Sequence, residues 1–298
     1  MLTFLPHQLK SILSILLYTI NTIVLTTPLI FISFFKFIIP VAGVIIILDK
    51  ILISIATLWI GINSLNSRLF CQIEWDIRGL ENLEKKQWYL ILSNHQSWVD
   101  ILALQTTLNQ KVPMLKFFLK KELIWVPFLG LAWWALDFPF MKRYSKAQIE
   151  AKPHLKGKDL ESTKKACEKF KHTPVSIINF VEGTRFTPHK KARQKSNTFT
   201  HLLNPKAGGV AFVLGSMGEY LNKIIDVTIV YPGKTPTFWE YISGGAKKII
   251  IDFEVMDITD SLTGDYFNDP EYKKYFFNYL NELWQKKDEK IKALKKGI

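Results

Sequence analysis

Residues 88–104, WYLILSNHQSWVDILAL, pass from a run of bulky apolar side chains through a polar turn into a second apolar run. The first run is short and bounded by polar residues, which predicts a buried strand at 88–93. The second predicts a helix near 97–108, so a strand turns directly into a helix, the repeating unit of an α/β domain. The same reading outward gives strands at 112–116, 175–181, 225–231 and 247–255, and helices near 160–171, 207–221 and 270–296. Asp269 is the expected N-cap of the last helix and Pro270 its first residue, followed by inward Tyr272, Phe276, Leu280, Leu283, Ile291 and Leu294 beneath a lysine-rich outer face. The fold class that follows is α/β, a mixed or mainly parallel sheet flanked by helices, over residues 68–298.

Residues 1–67 are different. Their only charges are Lys10, Lys36, Asp49 and Lys50, and residues 11–35 are uncharged. As a helix that stretch would extend roughly 37 Å against a hydrocarbon core of about 30 Å. It is too long for a cleavable signal and no small-residue cleavage site follows it, so it reads as a retained, membrane-associated anchor. The apolar stretch 37–62 is interrupted by Asp49 and Lys50, and is compatible with a second span, a re-entrant hairpin or an interfacial helix.

The whole chain carries a net charge of +13, of which +11 lies beyond residue 67 as 36 basic against 25 acidic residues. That excess calls for a polyanionic partner: nucleic acid, an anionic lipid surface or a phosphorylated substrate. The two cysteines, Cys71 and Cys167, are far apart and have no companions at metal-ligand spacing, which fits a reducing compartment without a disulfide framework.

Three motifs bear chemistry. NHQSWVD, 94–100, sets His95 and Asp100 at a strand-to-helix turn, where the aspartate can accept from one imidazole nitrogen and leave the other free to take a proton. Ser97 and Asp100 also match a capping box, which would make the aspartate structural, and the spacing by itself is a weak signal. FVEGTRF, 180–186, places Gly183 where a tight turn or close ligand approach is possible and Arg185 as a forked cation for phosphate oxygens; Glu182 and Thr184 could orient it or meet acceptor hydroxyls. A solvated loop with a surface ion pair is the competing reading. FMKR, 140–143, follows the uncharged 123–136 stretch, LIWVPFLGLAWWAL, whose three tryptophans face either the core or an acyl chain at the membrane interface. Lys142 and Arg143 beside it suit an amphiphile with a phosphate head, or an ordinary domain rim.

In order, NHQSWVD, FMKR, FVEGTRF and VTIVYPG with Pro232 resemble the four blocks of the glycerolipid acyltransferase family typified by bacterial 1-acyl-glycerol-3-phosphate acyltransferase, the PlsC-like enzymes. The chain resembles the bacterial YihG-type acyltransferases more closely still, through WYLILSNHQSWVDI, WVPFLGLAWWALDFPFMKRYS, INFVEGTRFT and NPKAGGVA, over residues 70–290. This resemblance implies a glycerolipid acyltransferase fold in which His95 is general base and Asp100 its orienting partner, with Arg143, Glu182, Gly183, Thr184 and Arg185 holding the acceptor's phosphate and glycerol. It implies acyl-CoA or acyl carrier protein as donor, a lysophospholipid acceptor, no metal, no bound cofactor and no nucleic acid. The expected location is the cytoplasmic face of a bacterial inner membrane, against an anionic surface. The expected acceptor is 1-acyl-sn-glycerol-3-phosphate, giving phosphatidic acid; because Val181 stands where many members have proline and Lys142 where an acidic residue is common, lysophosphatidylglycerol or lysocardiolipin stay as alternatives. A basic membrane-tethered nucleic-acid binder and a metal hydrolase are the rivals. The first has no use for a His and Asp pair, and the second lacks another histidine at ligand spacing.

Overall fold

The computed structural model describes residues 5–141, 158–171, 173–194 and 198–296. Lys142 and Arg143 lie outside them.

The central sheet grows from the predicted strand. Strands β1 (Glu74–Arg78), β2 (Tyr89–Ser93), β3 (Leu115–Phe117), β6 (Ser176–Phe180), β7 (Lys223–Val230) and β8 (Lys248–Asp257) form one sheet in the order β1-β8-β7-β2-β6-β3. A separate pair, β4 (Leu119–Lys120) and β5 (Phe140–Met141), flanks it. All neighbours in the large sheet are parallel except β7 with β8, so the sheet is mixed. β2 is central and wholly buried. Its side chains alternate: Tyr89 and Ile91 enter one core layer with α3 (Val99–Leu108), and Leu90 and Leu92 enter the other. That second layer is closed by α5 (Lys158–Cys167), α7 (Ala207–Met217) and α9 (Pro270–Lys296). Two short helices, α6 (Pro188–Ala192) and α8 (Phe238–Ile242), sit in the loops after β6 and β7.

Asp269 caps α9 as expected, its Oδ1 accepting from the amides of Glu271 and Tyr272 at 2.9 and 3.1 Å. The lysine-rich face of α9 has one correction. Lys287 is fully buried and donates to Val227 O at 2.6 Å beside Asp226, because β7 leaves a polar carbonyl and a carboxylate under the helix. Burial pushes the Asp226 carboxyl up and the Lys287 ammonium down. The strand β1 was not anticipated; it is an edge strand whose residues are mostly exposed, so its sequence EWDIR carries little apolar signal.

The apolar N-terminus forms a helical hairpin, α1 (His7–Ile38) and α2 (Ala42–Phe70), both long and apolar enough to cross a membrane. Most of the buried face of α1 is polar. Ser11, Ser14, Asn21, Thr26 and Ser33 are buried on α1, while Ile12, Val24, Phe31 and, on α2, Ile47 and Leu58 point outward. Asn21 Nδ2 donates to Trp59 O at 3.0 Å and Asn63 Oδ1 at 2.8 Å, and Asn66 Nδ2 to Ser14 O at 2.9 Å. Small and polar residues between helices with aliphatic side chains outside is the arrangement suited to a lipid solvent.

Both ends of α1 touch the sheet domain. His7 Nδ1 lies 3.2 Å from Ser243 O just after α8, and Lys36 near the other end bridges Asp49 of α2 and Asp137 of the domain. The Asp49 that interrupts the second apolar stretch is thereby paired. Between these points α4 (Leu129–Ala135), from the uncharged 123–136 stretch, packs Ala132 and Ala135 against Leu29, Leu52 and Ala56 of the hairpin. Of its three tryptophans Trp133 packs partly on that cluster, whereas Trp125 and Trp134 are exposed. The core reading holds for one face of that stretch, and its other face is exposed.

Candidate active site

The turn after β2 is fixed by side chains that take over from backbone pairing. Asn94 Nδ2 donates to Ile229 O at 2.9 Å and its Oδ1 accepts from Ile229 N at 2.8 Å, prolonging the β2–β7 ladder by one residue. Gln96 Nε2 donates to the same carbonyl at 2.8 Å. His95 is therefore held between two anchored neighbours at the carboxyl end of a central strand, where open α/β sheets place their ligands.

His95 Nδ1 lies 2.8 Å from Asp100 Oδ2. The same oxygen accepts the Gln96 and Ser97 amides at 2.6 and 2.9 Å. Asp100 thus fulfils both readings drawn from its spacing: it supplies one half of a capping box and it contacts the imidazole. The Ser97 hydroxyl caps differently from the expected pattern, accepting from Val99 N at 3.2 Å and donating to Pro236 O at 2.5 Å, so α3 starts at Val99. Asp100 Oδ1 accepts from the Tyr231 hydroxyl at 2.5 Å. Burial and the adjacent carboxylate push that phenol well above its usual pKa. Sequence reasoning quoted Tyr231 inside VTIVYPG without giving it a part; only the parallel β2–β7 pairing brings it to Asp100. Phe180 lies flat on the imidazole, ring centroids 4.0 Å apart and planes inclined by 18°.

FVEGTRF meets this turn from the end of β6. Phe186 N donates to His95 O at 2.7 Å and the His95 amide donates to Glu182 Oε1 at 2.8 Å. Glu182 is only 1 % exposed, and its Oε2 accepts from Leu203 N at 2.9 Å. The carboxylate expected to orient Arg185 or meet the acceptor is thus turned inward onto two backbone amides. Burial raises its pKa to about 7, against the pull of those two amides. Gly183 has φ +65, a left-handed conformation that favours glycine, while the nearest obstacle to a Cβ is the movable side chain of Lys206. Thr184 Oγ1 faces the Lys190 ammonium at 2.6 Å, which also donates to Arg185 O at 3.0 Å. Arg185 is exposed, its guanidinium 4.9 Å from the centroid of the Trp98 ring. The structure therefore brings His95, Asp100, Glu182, Gly183, Thr184 and Arg185 around one turn, and Arg143 lies outside the described residues. Among the described residues no three His, Cys, Asp or Glu side chains converge as a set of metal ligands.

A mixed α/β sheet carries a partly buried histidine against a buried carboxylate at the end of a central strand, with basic side chains beside them. Residues 74–231 match the acyltransferase family, and the chain belongs to it. It is similar to mouse 1-acyl-sn-glycerol-3-phosphate acyltransferase epsilon, 25 % identical over 226 residues that cover 69 % of this chain and 57 % of that one. It is also similar to mouse lysocardiolipin acyltransferase 1, 26 % identical over 220 residues covering 70 % and 54 %. The chain thus spans little more than half the length of these curated relatives. In structure it is similar to the crystal structure of the 1-acyl-sn-glycerophosphate acyltransferase PlsC from Thermotoga maritima, with a TM-score of 0.51, 18 % identity, and coverage of 95 % of this chain and 99 % of that one. At that identity the likeness establishes the fold.

Proposed function

We propose that this chain moves a fatty acyl group from a thioester, acyl-CoA or acyl carrier protein, to the free hydroxyl of a lysophospholipid, with 1-acyl-sn-glycerol-3-phosphate as acceptor. The observation that carries the reading is the 2.8 Å contact of His95 Nδ1 with buried Asp100. Asp100 accepts the Nδ1 proton of neutral His95 and so fixes the tautomer that leaves Nε2 with a lone pair. Nε2 takes the proton of the acceptor hydroxyl as its oxygen attacks the thioester carbonyl. The tetrahedral adduct collapses, the carbon–sulfur bond breaks, and the imidazolium returns the proton to the departing thiolate. Asp100 stabilises the imidazolium meanwhile, and Tyr231 holds the carboxylate in place. No protein nucleophile is needed.

Arg185, with Arg143, is assigned to the acceptor phosphate, because a guanidinium presents paired donors to two oxygens. Gly183 and Thr184 line the approach to the glycerol. The apolar outer face of the hairpin holds residues 1–67 in the lipid while the sheet domain, residues 68–298, faces the cytoplasm of a bacterial cell, where thioester donors are made. Contacts at both ends of α1 support a hairpin lying along the domain. A lysocardiolipin acceptor is the second reading, supported by the relatives named for that substrate.

The test is a panel of lysophospholipids offered to the purified protein with each donor type, run beside His95→Ala. Loss of the base should lower turnover by about 10²- to 10⁴-fold with the fold intact. Undiminished transfer by His95→Ala would overturn the mechanism, and transfer to none of the lysophospholipids would overturn the substrate class.

A further inference from the structure

Glu182 is buried, 1 % exposed, with both carboxylate oxygens turned onto backbone amides rather than toward the surface. Oε1 holds the His95 amide and Oε2 holds the Leu203 amide. The contact network continues beyond Leu203. Its carbonyl accepts from Trp284 Nε1 of α9 at 3.0 Å, and three and two residues before it the amides of Thr200 and His201 each donate to Asp288 of α9 at 2.7 Å. Trp284 is fully buried, and its position was absent from the apolar repeat read along α9. The C-terminal helix therefore grips the loop 198–204 by three hydrogen bonds, and that loop grips Glu182, which grips the backbone of His95.

We infer that Glu182 is a positioning residue for the general base, and that the C-terminal helix sets the place of His95 through the path Trp284, Leu203 and Glu182. The FVEGTRF motif thus divides its labour. Phe180, Glu182 and Phe186 hold the histidine by ring, amide and carbonyl, while Gly183, Thr184 and Arg185 are left for the acceptor. The chemistry requires such support because the attacking oxygen and Nε2 must meet at hydrogen-bond distance. A displacement of about 1 Å can cost on the order of 100-fold in rate. A buried carboxylate is suited to the task, since one group accepts from two chain segments that are 108 residues apart in sequence, at 95 and 203. The buried position also keeps water from competing for the two amides.

This rests on His95 being the base, and the experiment separates the two ideas by including His95→Ala. Glu182→Gln keeps the size but leaves one accepting oxygen, so one amide loses its partner. Trp284→Phe keeps an aromatic ring but removes the indole N–H together with the five-membered ring, so its denaturant stability is measured beside its kinetics. Acceptor and donor dependence are measured for both variants and for the double variant. The expected result is a fall in kcat of about 100-fold for Glu182→Gln and about fivefold for Trp284→Phe, with the acceptor KM unchanged. The double variant should be no slower than Glu182→Gln, because both act along one path. A raised acceptor KM with kcat preserved would place Glu182 on the acceptor and overturn the inference. Multiplying effects in the double variant would overturn the path through Leu203. If Glu182→Gln does not fold, Trp284→Phe decides alone: unchanged kcat sinks the path, and a lower kcat at constant KM upholds it. Normal turnover by His95→Ala would instead remove the base assignment itself, whatever the other variants do.

Discussion

Along β2 the buried positions belong mainly to aliphatic and aromatic side chains, whereas along α1 most belong to polar ones, Ser11, Ser14, Asn21, Thr26 and Ser33, with Leu29 an aliphatic exception, and many aliphatic side chains such as Ile12 and Val24 face out. The two regions obey one rule in two solvents. In water a segment gains by hiding apolar area, at about 25 cal/mol per Å². In hydrocarbon that gain vanishes, and what remains to be hidden is the hydrogen-bonding group. The hairpin's exposed aliphatic face and its buried polar seam are the pattern expected of helices long and apolar enough to cross a membrane.

The sharpest way to break the comparison is to put a charge on the apolar side of each region. Leu92→Asp would bury an unpaired carboxylate in the sheet and should prevent folding altogether. Phe31→Asp with Ile47→Asp alters two outward positions, 63 % and 59 % exposed. It should leave cooperative unfolding in detergent unchanged while vesicle binding weakens, since a charge costs up to about 3 kcal/mol at the centre of a membrane helix and less toward the ends, where these two positions lie. Flotation with vesicles and denaturant unfolding measure the two halves. An unfolded double variant would mean that the outer face packs against protein.

What the sequence disclosed divides along the same line. The long buried strands were legible because short apolar runs with polar boundaries show themselves over few residues, and the NHQSWVD and FVEGTRF motifs were legible because they sit in the turns between elements. β1 was not, since an exposed edge strand has no apolar face to announce it. Tyr231, Asn94 and Trp284 were missed for a different reason. Each acts through a partner far along the chain, at Asp100, Ile229 and Leu203, and no local pattern records a parallel pairing or a helix-to-loop contact. The polar inner face of the hairpin was also hidden, because the uncharged run was read as apolar throughout and the placement of its serines and asparagine was not followed around the helix.

A smaller effect tests the domain side through pH. The folded pKa of Glu182, about 7, lies above the ordinary 4.5. The folded state therefore holds the extra proton between those values. Its contribution to stability is fully present below about 4.5 and is lost as pH rises through about 7, with a span of roughly 3 kcal/mol at most. Denaturant midpoints of the wild type should fall over that window, and Glu182→Gln should flatten the fall. An identical pH profile in the variant would mean that the carboxyl ionises as freely as an exposed one.

The smallest expected effect concerns Asn21, and it asks whether the hairpin's polar seam stabilises or merely tolerates its neighbours. Asn21 joins the helices by donating to Trp59 O and to Asn63 Oδ1. Asn21→Leu removes both bonds, leaves Asn63 Oδ1 without this donor, and adds aliphatic bulk that lipid solvates no worse than protein does. If the seam holds the hairpin together, the variant should lose about 1 kcal/mol of hairpin stability, the size measured for hydrogen bonds between membrane helices. In water-exposed packing the same exchange would gain apolar burial and could cancel the loss. The sign therefore reads the solvent. Proteolysis of the loop between α1 and α2, followed in vesicles and in detergent, measures the separation of the helices. Faster cleavage of Asn21→Leu in vesicles supports a polar seam built for lipid, whereas slower cleavage would show that apolar burial governs this region as it governs the sheet.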